Sequence, residues 1–147
     1  SQDNVGYIIG YQGITFVLAT DVGEVTPDIA QAIGQADYLI IEANHDEDML
    51  LNGPYSPYLK RRVMSSTGHL SNANCGRAIA AYASDHLRHV WLCHLSEENN
   101  HPELARKTVE QQLADKGIVV GEAFQLDVLK RKIPSEIFHL TAAAEQL

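Results

Sequence analysis

The first apolar runs, Val5-Gly6-Tyr7-Ile8-Ile9-Gly10-Tyr11 and Ile14-Thr15-Phe16-Val17-Leu18-Ala19, are β-branched and aromatic and are separated by Gln12-Gly13. That pattern predicts an antiparallel hairpin. Residues 20–25 form a loop, and Thr26-Pro27 opens a short helix with Thr26 as N-cap, running to about Ile33 with Gly34 ending it. Tyr38-Leu39-Ile40-Ile41 is apolar without alternation, as expected of a strand covered on both faces. Residues 42–48 are polar, Asn52-Gly53-Pro54 is a turn, and Ser56-Pro57 opens a helix through about Met64.

After a polar loop over residues 65–72, Cys75, Ala78, Ile79, Tyr82, Ala83 and His86 recur at the 3- and 4-residue spacing of one buried helix face. His89-Val90-Trp91-Leu92-Cys93 is the next strand. Pro102 then begins a helix striped by Leu104, Ala105, Thr108, Val109 and Leu113 and closed by Gly117, with Lys116 near its end. The tail is expected to hold strands near Phe124-Gln125-Leu126 and around residues 130–133. A hairpin followed by strand–helix units indicates a layered α/β sheet with helices packed on it.

Composition narrows the class. A chain of 147 residues is sized for one domain and can bury roughly 70% of its unfolded surface, so no staple is needed merely to fold. Cys75 and Cys93 are the only cysteines, in apolar settings and without a C-x-x-C, which suits a reduced, cytoplasmic protein. No apolar run approaches the roughly 20 residues a membrane span requires, and the first residues, Ser1-Gln2-Asp3-Asn4, read as neither signal nor transit peptide. The net charge of −8 repels a polyanion unless cations gather on one face or metal ions supply local positive charge. Lys60-Arg61-Arg62 and Lys130-Arg131-Lys132 are either solvated surface or local phosphate contacts.

Candidate chemistry lies where the apolar strands stop. The run from Ile14 ends at Asp21, that from Tyr38 at Glu42 with His45 and Asp46 just beyond, and that from Trp91 at His94, while His69 stands in a loop ahead of a helix. Ligands of open α/β sheets bind where strands end. Imidazole and carboxylate together suit zinc or manganese, and a carboxylate can bridge two ions. Taken singly, each residue has an ordinary role available: Asp21 as a turn aspartate, Glu42 as a capping acid, His69 as a loop residue, His94 as a histidine bonded to backbone. His86, His89, His101 and His139 lack a polar cluster in the sequence and read as structural or exposed.

The succession Ala19-Thr20-Asp21, Leu39-Ile40-Ile41-Glu42-Ala43-Asn44-His45-Asp46, Asn52-Gly53-Pro54-Tyr55, Gly68-His69-Leu70-Ser71-Asn72 and Cys93-His94-Leu95-Ser96-Glu97-Glu98-Asn99-Asn100 resembles the second half of the metallo-β-lactamase-fold hydrolases of the YycJ/VicX/WalJ type. These are relatives of ribonuclease Z and the β-CASP nucleases. The resemblance runs in order from about Asp3 to Leu113. It implies the second half of an αββα sandwich, two divalent metal ions (zinc or manganese) in the complete enzyme, and phosphodiester hydrolysis, with 5′-to-3′ DNA exonuclease activity the expected form and DNA favoured over RNA. It also implies roles: Asp21 as the aspartate bridging two ions, His94 as the last histidine ligand of the second, and His69 as the non-ligand histidine over the scissile phosphate, oriented by Glu42. His45, Asp46, Ser71 and Asn72 are implied at the substrate pocket.

The family's His-x-His-x-Asp-His motif is absent from these 147 residues. Asp21 and His94 alone cannot hold a hydrolytic dinuclear centre, since catalytic zinc normally has three protein ligands and a water. The chain is therefore expected to be one partial domain, the C-terminal part of a longer enzyme, inactive alone and not necessarily holding metal, with its exposed sheet covered by the missing N-terminal half or by a second copy. The competing expectation is a self-sufficient small α/β binding or regulatory domain without catalysis. A nucleotide-binding Rossmann domain is disfavoured, because no Gly-x-Gly-x-x-Gly follows a strand.

Overall fold

In a computed structural model, which describes residues 5–64 and 68–129, the chain forms a mixed α/β fold around a five-stranded sheet. Strands β1 (Val5–Tyr11) and β2 (Ile14–Thr20) make the antiparallel hairpin. Gln12 and Gly13 both take positive φ, 50° and 81°, the signature of a type I′ turn whose twist matches the strands it joins. Strands β3 (Tyr38–Glu42), β4 (His89–Cys93) and β5 (Gln125–Val128) follow in order, each parallel to its neighbour from β2 onward. Four strands thus end on the same edge.

The parallel register sets Val17, Leu39, Val90 and Leu126 in one row. They join one apolar cluster with residues of three helices: α1 (Pro27–Gln35), α4 (Asn72–Tyr82) and α5 (Pro102–Ala114), which contribute Ile29, Ile33, Ile79, Val109 and Leu113. Leu39 and Leu92 have no exposed surface, so truncating either to alanine should cost about 2–5 kcal/mol. The other sheet face carries aromatics: the Trp91 ring lies 6.4 Å from Phe16, 6.1 Å from Tyr38 and 4.1 Å from the near-parallel His89 ring. At Gly76 a Cβ would come within 2.8 Å of Gln112 Cβ and 3.1 Å of the Val109 Cα, so α4 and α5 pack backbone to backbone at that point.

Several expectations change. Helix α1 continues through Gly34 to Gln35 and is capped by Ala36; it does not stop at the glycine. Part of the stretch read as polar loop is a short helix, α2 (Glu47–Asn52), whose N-cap is Asp46. Helix α3 (Pro57–Met64) forms where Ser56-Pro57 predicted it, but buries none of its residues. On α4 the buried face comprises Cys75, Ala78 and Ile79, while Tyr82 is exposed and Ala83 and His86 lie beyond the last turn. The expected strand around residues 130–133, the second basic cluster and His139 lie outside the described residues. Among those described, no helix is long and apolar enough to cross a membrane.

Candidate metal centre

The site is built where β2, β3 and β4 end together. Beyond Glu42 the chain keeps its extended course, and the backbone stitches neighbouring loops onto it. Ala43 N–H donates to the Cys93 carbonyl, Asn44 N–H to Leu70, Ser96 N–H to Asn44, Asn72 N–H to His45 and Asp46 N–H to Asn99, all at 2.8–3.0 Å. The loop bearing His69 is thereby clamped beside β3, on the opposite side from β4. A second tie comes from His69 N–H, which donates to the Val63 carbonyl at 3.0 Å. Gly68 makes that approach possible: a Cβ there would clash with the carbonyl oxygens of Val63 and Arg62.

Asp21 and His94 are the first residues past β2 and β4, and both adopt left-handed backbone, φ 53° and 58°. That conformation costs about 1–2 kcal/mol for a residue with a Cβ, and Asp, Asn and His are the side chains that tolerate it best. It turns both side chains off the pleat to the sheet edge. The Asn44 side-chain amide donates to the His94 carbonyl at 2.9 Å and so holds the turn.

Glu42 is the centre of the arrangement. Its side chain is fully buried, one carboxylate oxygen accepting from Val22 N–H at 3.1 Å while the other lies 2.6 Å from His69 Nδ1 and 3.1 Å from His94 Nδ1. Asp21 Oδ1 is 3.5 Å from the same His94 nitrogen. The two imidazoles meet edge to face with ring centroids 5.1 Å apart. One donor atom from each of Asp21, Glu42, His69 and His94 lies within 4.8 Å of the other three. Two nitrogens and two carboxylates suit a borderline divalent ion. With bonds near 2.1 Å, opposed donors on one ion stand at most about 4.2 Å apart, so only a small closing movement is required. The hydrogen bond to Glu42 raises the His69 pKa above its ordinary value, outweighing the lowering effect of burial.

A cavity of about 450 Å³ opens beside the two histidines, lined also by Asn44, Tyr55, Val63 and the segment 95–99. Tyr55 Oη donates to Glu98 at 3.3 Å across it. Asn99, buried in its wall, has a side-chain oxygen without a partner among the described residues. An unmet buried acceptor costs about 1–3 kcal/mol.

The residues expected at the pocket sit behind this surface. His45 is buried against Asn44, with its pKa lowered chiefly by burial. Asp46 caps α2, and Ser71 caps α4 while donating to Glu47 at 3.0 Å. Asn72 exchanges amide hydrogen bonds with Asn100, at 2.8 and 2.9 Å, in full burial. These contacts brace the loops of the edge. Sequence reasoning met Asn44, Tyr55 and Asn99 only inside longer matching stretches and gave them no role, because their importance arises from the cavity wall and a strained turn. It also missed that Glu42 serves two histidines at once.

The three described histidines that were set aside do have partners. His89 Nε2 lies 2.6 Å from Asp127, His86 Nδ1 2.9 Å from Asp37, and His101 caps α5 through its ring. Cys75 is buried and Cys93 half-buried, both unpaired, and burial pushes the Cys93 thiol up to about 12.

The sheet and the donors at its C-terminal edge are those of a β-lactamase-type fold. Residues 1–95 match the family model described as a β-lactamase superfamily domain; the chain belongs to that family. It is 41% identical over 120 residues to exodeoxyribonuclease YycJ of Bacillus anthracis, covering 82% of this chain and 46% of that protein. It is likewise 41% identical over 112 residues to exodeoxyribonuclease WalJ of Streptococcus pneumoniae serotype 2, covering 76% of this chain and 42% of that protein. The chain thus spans less than half the length of these relatives. The crystal structure of zinc-bound PqqB from Methylobacterium extorquens superposes with a TM-score of 0.52 at 18% identity, over 84% of this chain and 40% of PqqB, a likeness of fold.

Proposed function

We propose that this chain supplies one side of the active site of a metal-dependent phosphodiesterase that degrades DNA from the 5′ end, in a cytoplasmic enzyme. The observation that carries the reading is the buried Glu42 carboxylate shared by His69 and His94 beside Asp21. The relatives named exodeoxyribonucleases support the substrate class. Unpaired Cys75 and Cys93 fit a reducing compartment.

In this reading Asp21 and His94 would hold divalent ions, zinc or manganese. Bound ions would lower the pKa of a water and stabilise charge on a phosphoryl oxygen. The remaining ligands would come from residues outside these 147, consistent with the share of the relatives that the chain spans. Glu42 holds His69 through Nδ1 and favours its protonated form, which leaves Nε2 to donate a proton to the departing oxygen. His45, Asp46, Ser71 and Asn72 act by fixing the loops that carry these groups.

The rest of the enzyme, or a second copy of this chain, also covers β1. Tyr7, Ile8, Ile9 and Tyr11 alternate between the two faces of that strand, yet each is 54–70% exposed. So much apolar surface on one edge strand calls for a cover.

The test is hydrolysis of 5′- and 3′-labelled DNA and of RNA by the complete protein loaded with zinc or manganese, alongside Asp21→Asn and His69→Ala. Release of nucleotides from the 5′ end of DNA, lost in both variants, is expected. Absence of hydrolysis of every phosphodiester offered, with metal bound, would sink the reading.

A further inference from the structure

Helix α3 is an anomaly in this molecule. In a chain of net charge −8 it carries Lys60, Arg61 and Arg62 and no acidic residue. It also buries no side chain, and leaves Tyr58, Leu59 and Met64 exposed. Ordinary amphipathic packing does not explain such a helix. Its position is specific: Val63 forms part of the cavity wall and accepts the hydrogen bond from His69 N–H. Lys60 donates to the Leu51 carbonyl at 2.6 Å and ties the helix to the end of α2. Tyr58, Arg61 and Arg62 stand at i, i+3 and i+4, one stripe along the helix, and Arg62 immediately precedes the cavity-lining Val63.

We propose that Tyr58, Arg61 and Arg62 form a binding site for the nucleic-acid strand where it leaves the cavity. The two guanidiniums meet backbone phosphates and the tyrosine ring stacks on a base. Charge complementarity selects the occupant: Lys60, Arg61 and Arg62, with no acidic residue on the helix, suit a polyanion. An exposed aromatic flanked by arginines is the composition of sequence-tolerant single-strand sites. The inference rests on the nucleic-acid reading above and adds where the strand lies.

The experiment uses the complete, metal-loaded protein and a fluorescent single-stranded oligonucleotide, with affinity read by anisotropy over a salt series, and the small diester bis(p-nitrophenyl) phosphate as a second substrate. Arg61→Gln with Arg62→Gln should weaken oligonucleotide binding by about tenfold and flatten the log–log salt dependence by about 0.7 for each phosphate no longer neutralised. Tyr58→Ala should weaken binding by about tenfold at an unaltered slope. The oligonucleotide's kcat/KM should fall more than the small diester's. Lysine at both arginine positions should restore the slope, and Lys107→Gln, on the exposed face of α5, should leave affinity as it was. Wild-type affinity and slope in the double glutamine variant overturns the α3 site while the nuclease reading stands; so does an equal loss in Lys107→Gln. A wild-type protein that hydrolyses the small diester but binds no oligonucleotide overturns both.

Discussion

Strand β4 has a histidine paired with a carboxylate near each end, and the two ends behave differently. At the start of β4, His89 lies 2.6 Å from Asp127, with Arg106 3.6 Å from the same carboxylate and the imidazole stacked on Trp91. One anion there faces two cationic or dipolar partners and a ring, a self-contained structural contact. Past the other end, one buried carboxylate serves His69 and His94, a second acid stands close by, and two backbone turns are left-handed. Proximity of imidazole to carboxylate is common to both. What distinguishes the C-terminal edge is surplus: more donors converge than their mutual contacts require, and strain is accepted to bring them together.

The largest effect should fall on metal affinity. In the complete protein, Asp21→Asn or His94→Gln should weaken zinc or manganese binding by about 100-fold or more, whereas His89→Gln should leave it unaltered and cost only about 1 kcal/mol of stability. Competition with a chelator measures the first and urea denaturation the second. Equal metal affinity in Asp21→Asn and His89→Gln would erase the contrast between the two ends. Glu42→Gln should rank next, at about 10–100-fold, through loss of the charge that orients both rings, with Asp127→Asn as its silent counterpart.

Gly68→Ala tests the tie between α3 and His69. The added methyl meets two carbonyl oxygens, so a loss of about 1–3 kcal/mol is expected, and the His69 ring resonances should shift in NMR spectra while those of His89 stay. The smallest effect is on pH dependence in metal-free protein. Because the folded pKa of His69 is raised, the stability drawn from its bond to Glu42 is complete below about pH 6.5 and fades as pH rises through the raised value. His69→Gln should flatten that slope, seen as urea midpoints across pH.

The elements that a sequence reader sees are those whose own pattern suffices. Strands β3 and β4 show as unalternating apolar runs, and the Gln12-Gly13 turn announces the hairpin. Helix α2 escaped because it has only one turn and a half, with Met49, Leu50 and Leu51 in succession and no stripe; its one signal was Asp46 as a cap. The strand-end logic located Asp21, Glu42 and His94. The sharing of Glu42 was not legible, since it depends on the register that sets Glu42 opposite Cys93 and on a loop clamped from the far side. The same limit hid His89 and Asp127, brought together by the pairing of Trp91 with Asp127.

The left-handed turns at Asp21 and His94 also bear on how the site could change over generations. A substitution at either position is filtered twice, by whether the backbone accepts it and by whether the new side chain can serve as a donor. Valine, isoleucine and threonine fail the first filter before chemistry is tried, and glycine passes it while failing the second. A saturation library at both positions should therefore return folded members enriched in Gly, Asn, Asp and His, with Gly and Asn variants among the most stable. The edge can lose its metal-ligating groups and keep its shape.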